Sequence, residues 1–208
     1  MQELLTIVLS TSNHGKLLEL RALLSDLPVQ LRSAAEILGE SPSIVEDGAT
    51  FEENALAKAR YFHGRSRMPT VADDSGLAVR ALSGRPGVHS KRWSGRADLV
   101  GQPLDDENNR VLLAALSGVT ERGAAYVCAA AYVDDSRAIV RRGEVEGRIV
   151  DQPTGVNGFG YDPYFFSREL GRTFGAASVE EKARVSHRGR AFRALIADLA
   201  DLAEFARE

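Results

Sequence analysis

The chain has 208 residues, 44% hydrophobic and 26% charged, with a formal net charge of −3. This is ordinary globular usage, enough for one domain or at most two small ones. It excludes compositional disorder and a broad basic surface for duplex nucleic acid, but leaves room for a local lysine and arginine cluster facing one phosphorylated ligand.

In chain order, Thr6–Ser10 is a β-branched and apolar run read as a buried strand. A polar loop, Thr11–Lys16, leads into a helical pattern with Leu17, Leu20, Leu24 and Leu27 on one face, ending before Pro28. Thr50 and Glu53 form a capping box that predicts a helix to about His63. Pro69–Ala72 predicts a strand ending at Asp73-Asp74-Ser75-Gly76, and Asp105–Leu116 a helix with an acidic start. Ala124–Val133 and Ala138–Val150 predict two strands joined by a hairpin loop at Asp134–Arg137. A glycine-rich loop spans Gly155–Pro163, and a second capping box stands at Ser178 and Glu181. The last helix carries Phe192, Leu195, Ile196, Leu199 and Leu202 as an apolar stripe. The pattern predicts an α/β fold with a mixed β-sheet.

The longest uninterrupted apolar run, Ala124–Val133, falls well short of the roughly 20 residues of a membrane helix. Met1-Gln2-Glu3 is not basic, and no signal peptide is expected. The single cysteine, Cys128, cannot form an internal disulfide and reads as a small buried hydrophobe. Together these features predict a cytoplasmic enzyme or binding protein that uses neither nucleic acid nor membrane.

Five segments carry residues suited to chemistry. Thr11–Lys16 places hydroxyl and amide side chains, a glycine and a lysine before a helix, where backbone N–H groups attract phosphate; a plain capping turn is the alternative. Glu46, Asp47, Asp73 and Asp74 are hard oxygen donors of the kind Mg²⁺ takes with substrate phosphates; the alternative is a set of solvated loop acids. If the strand persists through Asp73 and Asp74, they point to opposite faces. Gly76 allows close backbone approach to a ligand. Lys58, four residues after Asn54, either reaches phosphate or is a solvated lysine paired with that asparagine. Gly158–Pro163 offers Phe159 for stacking on a base and Asp162 for reading base edges, or is an ordinary turn. Lys182 with Ser186–Gly189 suits a phosphate or a base carbonyl; His187 and Arg188 could instead cap a helix C-terminus. None of the four histidines has zinc-ligand spacing.

The ordered set resembles the inosine triphosphate pyrophosphatase family, the house-cleaning non-canonical purine nucleoside triphosphatases of the RdgB/HAM1 type. Its motifs are Thr11-x-Asn13-x-x-Lys16, Glu46-x-Gly48-x-Thr50-Phe51-x-x-Asn54-Ala55, Ala72–Leu77, Pro86-Gly87-Val88-x-Ser90, Gly158–Pro163, Glu181-Lys182 and Ser186–Gly189. The likeness runs from about Leu5 to Leu199. It implies a single pyrophosphatase domain over residues 1–208, an elongated fold with two lobes and the active cleft between them, and a homodimer. It implies Mg²⁺-dependent hydrolysis of ITP, dITP and XTP to the monophosphate and pyrophosphate. By position, Glu46 and Asp74 match the metal-binding acids and Asp74 the catalytic base. Thr11, Ser12, Asn13, His14, Gly15, Lys16, Ser75, Phe159, Gly160, Tyr161, Asp162, Lys182, His187 and Arg188 match substrate-binding positions, and Lys58 is a further phosphate-binding candidate. His89 and Lys91 stand where the family often has Tyr and Ala. The alternatives are a Maf-type nucleotide pyrophosphatase, against which the Gly158–Asp162 and Ser186–Gly189 segments argue, and a non-catalytic nucleotide-binding protein, against which the intact acids and lysines argue.

Overall fold

The computed structural model describes residues 5–11, 17, 20, 29–39 and 44–205. The N-terminal run forms strand β1 (Leu5–Leu9), whose alternation sends Ile7 and Leu9 to one face of the sheet and Val8 to the other. Leu17 and Leu20 are helical and pack on the Ile7 and Leu9 side; Ser12–Lys16, Leu24 and Leu27 lie outside the described residues. Strand β2 (Val29–Ser33) pairs in parallel with β1, and Ser33 caps a short helix, α1 (Ala34–Leu38). The expectations above include neither element, although Val29-Gln30-Leu31-Arg32 alternates apolar and polar residues, which is the strand signal.

Helix α2 (Phe51–Ser66) starts at the expected capping box, with the Thr50 hydroxyl accepting from the Glu53 N–H and the Glu53 carboxylate accepting from the Thr50 N–H. Strand β3 (Thr70–Val79) does not end at Ala72 as expected. It continues to Val79, so Asp73 and Asp74 lie inside a buried strand. The acids are tolerated there because each has polar partners, described below. Helix α3 (Gln102–Ala115) follows, then β4 (Gly123–Val133) and β5 (Ala138–Ile149). The Asp134 N–H donates to the Arg137 carbonyl at 3.1 Å, closing the expected hairpin loop. Two short strands outside the expectations, β6 (Phe165–Ser167) and β7 (Arg172–Thr173), come next. The second capping box opens α4 (Val179–Val185), and α5 (His187–Phe205) is the last element among the described residues. His187 and Arg188 therefore open the last helix and do not cap a helix C-terminus.

The sheet has seven strands in the order β2-β1-β3-β4-β5-β6-β7. Its β1–β2 and β1–β3 pairs are parallel, and β5–β6 and β6–β7 antiparallel, which makes it the expected mixed α/β sheet. Among the described residues, no helix is long and apolar enough to cross a membrane.

The chain divides into two compact units, one of residues 1–74, 128–143 and 188–208, the other of residues 75–127 and 144–187. In the first, Ala191, Phe192 and Leu195 of α5 pack on Ile7, Leu9, Val71, Cys128 and Ala130. Phe62 of α2 packs with Val8 and Ala34 on the opposite face. In the second, Leu112 and Leu116 join Leu77, Val79, Tyr126, Val145, Phe165 and Phe174 in a core of their own.

Gly76 has a structural use in the second unit. A Cβ there would lie 2.4 Å from both the Gly87 carbonyl oxygen and the Ser90 hydroxyl. That hydroxyl accepts from the Leu77 N–H at 2.8 Å and donates to the Gly87 carbonyl at 2.6 Å. The missing side chain thus admits the Pro86–Ser90 segment, where the sequence suggested approach by a ligand. Gly76→Ala should cost about 1–3 kcal/mol, the usual penalty for overpacking. A thermal melt unchanged within about 2 °C would show that the segment gives way freely.

Candidate active site

The acidic cluster is built in the first unit around β3 and the start of α2. Asp74 is buried, and its Oδ2 accepts from Asn54 Nδ2 at 3.0 Å. Asn54 is itself buried and fixed from the other end, because its Oδ1 accepts from the Gly48 N–H at 2.8 Å. A Cβ on Gly48 would come within 2.6 Å of that oxygen, so the glycine is what lets the loop reach the amide. Lys58, one turn further along α2, is buried, ion-paired with Glu46, and donates to the main-chain carbonyl of Asp73 at 2.9 Å. This corrects the reading of Lys58 as a solvated lysine paired with Asn54. Burial disfavours its charge, but Asp73, Glu46 and Asp74 outweigh that and hold its pKa above the usual lysine value.

Asp73 faces the other way. Its Oδ2 accepts from Arg188 Nε at 3.3 Å and lies 3.9 Å from Cys128 Sγ. Cys128 and Arg188 belong to the side of the sheet that α5 covers, whereas Asn54 belongs to α2. The alternation expected of adjacent strand residues therefore separates the two acids into different surroundings. Neither is a solvated loop acid. Glu46 is half-buried and Asp47 exposed. Among the described residues, no three His, Cys, Asp or Glu side chains lie close enough to form a complete metal-binding group. Thr11 lies two residues past the end of β1 and is half-buried, while Ser12–Lys16 fall outside the described residues.

The second unit holds the aromatic group. Phe159 is half-buried, and its N–H donates to Asp162 Oδ2 at 2.9 Å. The same oxygen accepts from Lys182 Nζ at 2.7 Å, and the ammonium also lies 4.9 Å from the Phe159 ring centroid. Asp162 is 2% exposed, so it organises its own loop and presents little surface for reading a base edge. Tyr161 is buried and donates its hydroxyl to the Ser90 carbonyl at 2.7 Å. His187 stacks on Tyr126, with centroids 4.7 Å apart and planes at 8°. Burial, followed by the Asp162 charge, raises the Tyr126 pKa well above the tyrosine norm. Ser75 is half-buried at the start of this unit.

Several of these groups carry little signal in the sequence. Tyr126 looked like one more residue of an apolar strand, and only its ring contact with His187 distinguishes it. Asp105 and Asn109 hold Gly160 from α3, and their spacing of four on one helix face was the available signal.

The Ham1 family model matches residues 7–198. The chain belongs to the Ham1 family. It is 46% identical over 192 residues to a dITP/XTP pyrophosphatase of Frankia alni, covering 91% of this chain and 94% of that one. Among solved structures, a HAM1 protein from Coxiella burnetii superposes with a TM-score of 0.85 at 37% identity, covering 95% of this chain and 100% of that one. A dITP/XTP pyrophosphatase from Mycobacterium abscessus is 44% identical, with a TM-score of 0.74, covering 92% of this chain and 98% of its own. The family resemblance carried by the motifs and the mixed α/β fold are thereby established.

Proposed function

We propose that this Ham1-family chain hydrolyses dITP, XTP and ITP to the nucleoside monophosphate and pyrophosphate. The observation that carries the reading is Asp74, a buried carboxylate fixed by Asn54 within a group that also holds Glu46 and Lys58. The names of the relatives supply the substrate class. We further propose that residues 1–208 act as one pyrophosphatase domain, as a homodimer in the cytoplasm.

Glu46 and Asp74 are hard carboxylate donors and fit Mg²⁺, which commonly takes one or two carboxylates and completes its shell with water and substrate phosphate. Bound there, the ion would neutralise phosphate charge and make a water easier to deprotonate. The chain's own groups do the rest. Asn54 fixes the orientation of the Asp74 carboxylate, which positions the attacking water and accepts its proton. Lys58, held charged among carboxylates, offsets charge that builds on the phosphates as the α–β bond breaks. In the second unit, Phe159 offers a stacking face, and His187 is oriented by Tyr126 for contact with the base.

A 6-keto purine presents an acceptor where adenine presents a donor, so donors aimed at that oxygen are left unpaired by adenine. The test is a panel of ITP, dITP, XTP, ATP and CTP, with and without Mg²⁺, scored for monophosphate, pyrophosphate and orthophosphate. The expected result is equimolar monophosphate and pyrophosphate from the first three, dependent on Mg²⁺, with kcat/KM at least about 10²-fold above that for ATP. Diphosphate with orthophosphate as the products, or equal use of ATP, would refute the proposal.

A further inference from the structure

Gly160 is gripped at both of its backbone groups from α3. Its N–H donates to Asp105 Oδ2 at 2.9 Å, and its carbonyl accepts from Asn109 Nδ2 at 2.9 Å. Asp105 and Asn109 are four residues apart and share one helix face, and Asn109 Nδ2 also bonds the Asp105 carbonyl at 2.9 Å. The helix beneath them is anchored by Leu112 and Leu116, which are fully buried in the core of the second unit.

The grip adds to other anchors of the loop, which include the Asn157 N–H donating to the Gly175 carbonyl and the Phe159 N–H donating to Asp162, both at 2.9 Å. Residues 151–158 are all exposed, and Gly158 and Gly160 take left-handed φ values of 78° and 63°. Glycines in such conformations lose more entropy on ordering than other residues do. Asp105 is also a costly choice of acceptor, because burial raises its pKa, with Asp106 and Asp162 adding to the rise and only Lys91 and the Gly160 bond opposing it. A half-buried carboxylate spent on one backbone N–H suggests that the position of the peptide after Phe159 matters.

We propose that Asp105 and Asn109 are positioning residues for the nucleobase: their two-point grip on Gly160 holds the Phe159 ring in place for stacking. The proposal rests on the nucleotide reading above. It separates binding from chemistry, because the grip touches neither Asp74 nor Lys58. Loss of one hydrogen bond to a carboxylate in such a loop corresponds to about a tenfold change in affinity.

The experiment compares the full-length wild type with Asp105→Ala, Asp105→Asn and Asn109→Ala in the presence of Mg²⁺. It measures KM and kcat for ITP, and amide hydrogen exchange over residues 156–162. Asp105→Ala should raise KM about tenfold, leave kcat within about threefold, and speed exchange in the loop. Asp105→Asn retains an oxygen that can accept the Gly160 N–H, and should recover most of the lost KM. If Asp105→Ala fails to fold, Asn109→Ala should show the same split between KM and kcat. Folded variants with wild-type KM, or with kcat falling and KM unchanged, would overturn the proposal, as would an asparagine variant no better than alanine. Wild-type protein inert toward ITP would overturn the nucleotide reading and this proposal with it. Active wild type with unaffected variants would overturn this proposal alone.

Discussion

Asp74→Asn is expected to lower the rate at saturating nucleotide by about 10²–10⁴-fold, the usual cost of removing a general base, in a protein that still folds. Asparagine matches aspartate in shape, so the side chain remains in place beside Asn54, but it cannot take a proton. Asp73→Asn should separate the two properties the other way. Its carboxylate pairs with Arg188, and the two side chains are 0% and 2% exposed. Neutralising one partner of so buried a pair leaves the guanidinium poorly compensated, at a cost of about 3 kcal/mol, or roughly 6–12 °C in Tm. Lys58 stays anchored in this variant, since it bonds the main-chain carbonyl of Asp73 and not its side chain. Turnover by the folded Asp73→Asn fraction should therefore exceed that of Asp74→Asn. Single-turnover rates and melting curves on both variants decide the matter. A folded Asp74→Asn enzyme retaining more than about a tenth of the wild-type rate would count against the assignment.

The second large effect is expected at Lys182. Lys182→Met removes the ammonium of a residue that is 6% exposed and leaves Asp162 buried without the cation that balances it. Breaking a buried pair from one side typically costs about 3–5 kcal/mol. For a chain of this length that is a fall of roughly 6–20 °C in Tm. Adding Asp162→Asn should restore part of the loss, because the buried charge disappears with it. Urea and thermal unfolding of the single and double variants test this. A single variant within about 2 °C of wild type would mean that the carboxylate is satisfied without the ammonium, with the Phe159 N–H still donating to it.

The elements with strong local signals were legible: the capping boxes at Thr50 and Ser178, the long strands β4 and β5, and the apolar stripe from Phe192 to Leu199. What failed was the reading of polar residues in apolar surroundings. Asp73-Asp74-Ser75-Gly76 looks like a strand's end because strand signals rest on apolar side chains, yet here distant partners make the acids acceptable inside the sheet. Asn54 and Arg188 are 20 and 115 residues away from the acids they bond. Lys58 looked solvated for the same reason, since its ion pair with Glu46 and its bond to Asp73 arise only in the folded chain. Asp162 was legible as a polar member of its loop but not as buried, because its partner Lys182 lies 20 residues further along the chain. The strands β6 and β7 are too short, at three and two residues, to leave a periodic trace.

The capping box of α2 has a consequence beyond helix stability. Asn54 and Lys58 lie in the first two turns, so their angular phase is set by where the helix begins. Shifting that start by one residue against its anchored loop would turn both side chains by about 100° about the helix axis. The Gly48 N–H could then no longer reach the Asn54 amide, and the lysine would swing away from Glu46. Thr50 is exposed and bonds Glu53, not Glu46, Asp73 or Asp74, yet it acts as an indexing pin for Asn54 and Lys58. Single-residue insertions or deletions between Gly48 and Asn54 should therefore be far less tolerable than side-chain replacements in the same stretch.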